Sequence, residues 1–136
     1  AAFLWAQMEE AETITKRRLD IWRTYHQWFE PLEELGVIRR PVVPNDCVQN
    51  AHMYYLILSS LDQRSAFIAR LKEQGIHTVF HYVPLDTALM GRQFGRDSGD
   101  LTHTHDLSER LVRLPLWIGL EDHQAFVIQK VLAALG

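Results

Sequence analysis

An α+β fold is predicted by three observations. Residues 3–35 repeat apolar side chains at helical spacing, two β-type runs at 51–60 and 76–83 bracket a helical stretch at 63–74, and residues 121–135 close the chain as another amphipathic helix. The order helix, strand, strand, helix, strand, helix, helix makes a small α+β layer. At 136 residues and 47% hydrophobic content the chain has the length of one domain and ample material for a core. No internal repeat or low-complexity segment is present.

Leu4, Met8, Ala11, Ile14, Ile21, Trp22, Tyr25, Trp28, Phe29, Leu32 and Leu35 set the first helical period, with charged residues such as Glu12, Lys16 and Asp20 between them. Pro31 is the expected point of breakage. At about 1.5 Å per residue such a helix would run roughly 45 Å, more than the small body after it needs, which suits a helix bridging two domains. Gly36 ends it, and residues 37–43, interrupted by Pro41, read as an edge strand. A loop follows at Pro44, Asn45 and Asp46. Residues 51–60 hold Met53, Tyr54, Tyr55, Leu56, Ile57 and Leu58 in near-continuous apolarity, so this strand is expected at the centre of the sheet, buried on both faces. Asp62 is the expected N-cap of the helix at 63–74, and Gly75 its stop. The strand at 76–83 leads into a polar, Gly-rich loop at 87–99, a helix at 104–112, a short extended segment at 114–117 and the closing helix.

The formal net charge of −3 gives no overall attraction to nucleic acid or anionic membranes, and neither is expected as a partner. Cys47 is the only cysteine, so no internal disulfide forms, and no run is long enough to span a bilayer or serve as a secretory signal. A reducing cytoplasm fits these facts. The sequence begins at Ala1 without a methionine or a capping residue, its helical period already under way, as in a piece of a longer protein. Phe3, Leu4 and Trp5 are consecutive and bulky, and one helix face cannot bury all three, so part of this surface is expected to meet another domain.

The segment Phe80-His81-Tyr82-Val83-Pro84-Leu85-Asp86 carries the most chemistry. A β-type run bearing His and Tyr stops at a proline that fixes its own φ and pushes Val83 toward extended geometry, which makes a stiff corner fit for binding. Elsewhere the signals are weaker. His103, His105 and Asp106 are dense, but their spacing does not place two ligands on one helical face and no further metal motif accompanies them, so they read as polar residues opening a helix and no metal is assigned. No serine has a nucleophile-elbow setting, and Cys47 has no local signature. Gly91-Arg92-Gln93-Phe94-Gly95-Arg96 lacks a Walker lysine and the dinucleotide fingerprint, leaving Arg92 and Arg96 as candidate contacts to an anion. The three lysines, Lys16, Lys72 and Lys130, all fall in helices, away from any strand-to-loop setting suited to Schiff-base chemistry, so no catalytic residue is assigned within these residues.

Four motifs in series, Ala1-Ala2-Phe3-Leu4-Trp5-Ala6-Gln7-Met8-Glu9, Val48-Gln49-Asn50-Ala51-His52-Met53-Tyr54-Tyr55, Phe80-His81-Tyr82-Val83-Pro84-Leu85 and Ser108-Glu109-Arg110-Leu111-Val112-Arg113-Leu114-Pro115-Leu116, resemble the C-terminal part of the DegT/DnrJ/EryC1/StrS sugar aminotransferases. Within that family the wording is closest to the dTDP-4-amino-4,6-dideoxygalactose transaminases. The resemblance implies a fold type I enzyme dependent on pyridoxal 5'-phosphate, with residues 1–35 as interdomain helix and 36–136 as the small C-terminal domain, a mostly antiparallel sheet with helices on one face. The large domain, with the Schiff-base lysine and the cofactor, would lie upstream, so these residues alone would be inactive and hold no cofactor. The whole protein would move an amino group from glutamate to a 4-keto-6-deoxy nucleotide sugar, as a cytoplasmic homodimer serving surface polysaccharide biosynthesis.

By the same resemblance His81 and Tyr82 line the substrate cleft, Pro84 stiffens the loop, and Asp86 stands where relatives commonly carry His. An acid there would repel a diphosphate or a carboxylate. His81 and Tyr82 also have a purely structural reading as caps on the sheet. For the chain as a whole, two other readings stand beside the enzyme: a non-catalytic sensor or regulator of the same fold that binds sugar nucleotides, and a free-standing module that dimerises through the long helix.

Overall fold

A computed structural model describes residues 1–136. The first third is three helices where one was expected: α1 (Ala2–Glu9), α2 (Ala11–Trp28) and α3 (Glu30–Glu34). Pro31 sits in the first turn of α3, where its missing N–H costs nothing, and the break falls just upstream, at Phe29. The other break, at Glu10, involves no proline or glycine. Every residue of α1 is outside the core, so no packing holds that helix in line with α2.

Three strands form one antiparallel sheet, β1 (Tyr54–Ile57), β2 (Val79–Phe80) and β3 (Leu111–Leu114), in the order β1-β3-β2. The centre is therefore β3, and the expectation that residues 51–60 form the central strand is corrected. Residues 111–112 were expected as helix, yet α6 (Thr102–Arg110) stops at Arg110 and the chain turns directly into β3. Leu111 and Val112 are apolar residues that suit either state, and pairing with strands on both sides decides for β. The strand expected at 37–43 contracts to a single bridge, Arg39 to Ile57, and Pro41, next in register to pair, has no N–H of its own to extend the ladder. The strand expected at 76–83 keeps only Val79 and Phe80.

Alternation along β1 and β3 separates two faces. Tyr54, Leu56, Val112 and Leu114 share one face and are all buried, with α4 (Leu61–Glu73) and α7 (Gln124–Leu135) over them. Tyr55, Arg113 and Val79 point to the other, more open face. The cap of α4 is Ser60, whose Oγ accepts from Gln63 N at 3.1 Å, in place of the expected Asp62. Residues 87–99 are not all loop, since α5 (Leu89–Phe94) forms within them.

Side chains of α2 tie the helices to this sheet. Tyr25 is fully buried and donates to Pro115 O at 3.0 Å, and Tyr25, Phe29 and Trp22 pack against Tyr54 of β1. From α7, buried Gln124 donates to Ile21 O at 2.7 Å. Arg40, with a side chain only 11% exposed, donates to Glu33 at 2.7 Å, to Glu30 at 3.1 Å and to the His26 carbonyl at 2.5 Å, so one guanidinium joins α2, α3 and the following segment.

Candidate functional site

The register of β2 on β3 builds the corner. Val79 lies opposite Arg113 and Phe80 opposite Val112, which carries the next residue, His81, onto the open face beside Arg113. Arg113 Nη1 donates to His81 Nδ1 at 3.1 Å. A guanidinium has only donors, so Nδ1 must be the acceptor, the ring is neutral, and the proton resides on Nε2. The His81 pKa lies below the ordinary histidine range, first because the ring is partly desolvated and then because of the charges of Arg113 and His52. Tyr82 follows through a cis peptide bond, 65% exposed, with its ring centroid 3.9 Å from that of His81.

His52, just before β1, acts on His81 through its charge. Ala51 is buried in the left-handed region at φ 48, and Asn50 Oδ1 accepts from His52 N at 3.1 Å, a local arrangement that turns the chain just before β1. Beneath the corner, the Arg64 guanidinium of α4 lies 5.1 Å from the Phe80 ring centroid and donates to Ser108 O at 3.0 Å.

Past Pro84, the chain places Asp86 away from His81. His105 Nε2 donates to Asp86 Oδ2 at 2.5 Å, joining the corner to α6, and this bond is the main cause holding the Asp86 carboxyl below the usual carboxylate range. Asp86, Arg92 and Arg96 instead line a separate pocket of about 660 Å³ between the corner and α5. A Cβ on Gly91 would fall 1.5 Å from the Leu85 carbonyl oxygen, so glycine is what lets α5 lie against the corner.

The six residues singled out in the sequence thus divide into two groups: His81 and Tyr82 lie ring beside ring, tilted by 33°, Asp86, Arg92 and Arg96 meet at the pocket, and Pro84 joins them, its carbonyl accepting from Thr87 Oγ1 at 3.0 Å. Sequence reasoning did not single out Arg113, Arg64 or His105 as parts of a site. Only the strand register identifies Arg113, and the Asp86 contact of His105 depends on how α6 packs. His103 is exposed, and no group of three or more His, Cys, Asp or Glu side chains is arranged to hold a metal ion.

A three-stranded antiparallel sheet with helices over one face and a polar His-Tyr corner on the other defines a small α+β unit of the kind found at the C-terminal end of certain aminotransferases. The sequence model of the DegT/DnrJ/EryC1/StrS aminotransferase family matches residues 1–135, and the chain belongs to that family. It is 33% identical over 121 residues to the uncharacterized protein MJ1066 of Methanocaldococcus jannaschii, covering 85% of this chain and 30% of that protein. Among solved structures, the aminotransferase TlmJ of Streptoalloteichus hindustanus superposes with a TM-score of 0.81 at 25% identity, over 96% of this chain and 34% of that one. Spr1654 of Streptococcus pneumoniae, solved in a PLP-form, shares the fold with a TM-score of 0.79 at 23% identity, over 96% of this chain and 33% of that one. The chain spans about a third of the length of these relatives.

The residues of this chain do not fit pyridoxal phosphate as its covalent holder. Lys16 lies on the outer face of α2, 3.8 Å from Asp20, Lys130 rests over the Phe126 ring at 5.4 Å, and Lys72 is exposed in the last turn of α4. None is at the corner, and none is fully buried as a Schiff-base amine commonly is.

Proposed function

We propose that these residues are the C-terminal part of a pyridoxal phosphate-dependent sugar aminotransferase and form one wall of its substrate cleft. Residues 1–35 then connect to a large upstream domain that carries the lysine and the cofactor, and residues 36–136 are the small domain. The observation that carries this reading is the family match along 1–135 combined with a neutral, donor-presenting His81 beside an exposed Tyr82. A PLP-form of the similar Spr1654 supports the choice of cofactor. Pyridoxal phosphate supplies an electron sink for moving an amino group. In this reading the chain's own residues bind and orient: His81 donates Nε2–H to a sugar oxygen, Tyr82 offers its ring and hydroxyl, and Pro84 keeps the corner stiff.

The substrate we assign is a 4-keto-6-deoxy nucleotide sugar of the dTDP series, aminated from glutamate as in dTDP-4-amino-4,6-dideoxygalactose formation. The setting is a cytoplasmic homodimer feeding surface polysaccharides such as lipopolysaccharide or enterobacterial common antigen. The test is to supply the full-length protein with pyridoxal phosphate, glutamate and dTDP-4-keto-6-deoxyglucose and to follow the sugar nucleotide by mass spectrometry. Formation of the 4-amino sugar is expected. Binding of the sugar nucleotide without amination, from a full-length chain lacking the lysine, would mark a regulator in place of an enzyme.

A further inference from the structure

Seven of the eleven arginines already have side-chain partners in the protein: Arg17, Arg23, Arg40 and Arg110 pair with carboxylates, Arg64 and Arg70 donate to carbonyls, and Arg113 donates to His81. Of the other four, Arg92 and Arg96 line the same pocket, next to the corner. They sit four residues apart, Arg92 in the last turn of α5 and Arg96 just past its end, each following a glycine whose Cβ would collide with backbone. A Cβ on Gly95 would lie 2.6 Å from the Gly91 carbonyl oxygen. Backbone thus packs closely on backbone at both glycines that line the pocket, which also includes Arg92 and Arg96 and has a volume of about 660 Å³, within the usual range for small-molecule sites.

Two carboxylates, Asp86 and Asp97, line the pocket as well, and an unopposed Asp86 would work against an anion. Asp86 is not unopposed. Its Oδ2 takes the Nε2–H of His105 at 2.5 Å, and its side chain is only 16% exposed.

We propose that this pocket is a subsite for the diphosphate of a nucleotide ligand, held by Arg92 and Arg96, with His105 as a positioning residue that keeps Asp86 engaged and turned from the anion. The assignment rests on the nucleotide-sugar reading above and adds to it where the charged part of the ligand lies. Two guanidiniums match a diphosphate because each presents a planar pair of donors and two phosphoryl groups present paired oxygens. No covalent step is involved.

The experiment is calorimetric titration of the full-length protein with dTDP, inorganic pyrophosphate and inorganic phosphate. Arg92→Gln and Arg96→Gln are each expected to weaken dTDP and pyrophosphate about tenfold, and the pair of substitutions about a hundredfold. His105→Ala is expected to weaken dTDP, and adding Asp86→Asn to it to restore binding, a recovery that a purely structural role of His105 would not give. Wild-type affinity for dTDP in the double arginine variant would overturn the proposal, as would a wild-type protein that binds no dTDP. Inorganic phosphate binding as tightly as dTDP through the same arginines would reassign the pocket to a single phosphate and overturn the diphosphate. Binding of dTDP needs no amino transfer. An inactive protein with arginine-dependent dTDP affinity would sink the enzyme reading alone, and an active one indifferent to both arginines would sink the pocket alone.

Discussion

His81 owes its tautomer to a residue 32 positions away. Arg113 can only donate, so the bond to Nδ1 exists only while the ring is neutral, and folding favours that form. With the folded-state pKa lowered, the stability linked to this site is complete above about pH 6.5, the unfolded histidine value, and is lost as pH falls through the lowered folded value. An NMR titration of the full-length protein should place the His81 midpoint below that of an exposed histidine, and Arg113→Met should move it upward. The opposite movement would mean that the guanidinium is not the partner. His81, Tyr82 and Pro84 were legible in the sequence because proline and aromatic residues mark a stiff strand end without reference to anything distant. Arg113 was not, since a charge on a strand acquires meaning only from the residue across the ladder. Asp86 was legible as unusual, but its answer to that oddity, His105, lies on another helix.

Among the elements, two amphipathic helices were read best, while the longest periodic stretch, residues 3–35, breaks into three. Residues 63–74 and 121–135 appear as α4 and α7 with small shifts at their ends, because amphipathic periodicity and a terminal Gly75 need no tertiary information. The strands were read less well. Residues 51–60 hold a longer continuous apolar run than 111–114, yet β3 occupies the centre of the sheet, because position in a sheet is set by which strands find partners on both sides. The cleanest energetic test at this scale is Arg40, whose nearly buried guanidinium satisfies acceptors on α2 and α3 together. Arg40→Met keeps much of the volume but strands those acceptors, which should cost about 2 kcal/mol of local stability. Amides of α3 would then exchange with deuterium about 30-fold faster. Unchanged exchange would show that α3 is held by apolar contacts alone.

For the whole molecule, the distribution of exposed apolar surface is the feature that ties sequence to function. Phe3 is 90% and Trp5 66% exposed, and α1 contributes nothing to the core, whereas Trp22 and Tyr25 of α2 and Tyr54 of β1 are buried in it. On the proposed reading, this apolar surface of α1 is where the large domain packs. The three lysines stand on helices away from the polar corner, which offers a histidine and a tyrosine but no amine. The most direct measurement is steady-state and half-reaction kinetics of the full-length protein carrying Tyr82→Ala. A cleft wall for the sugar should raise KM for the nucleotide sugar about tenfold while the glutamate half-reaction changes less than about twofold. A sugar KM equal to that of the wild type would contradict the assignment of this corner to the substrate cleft.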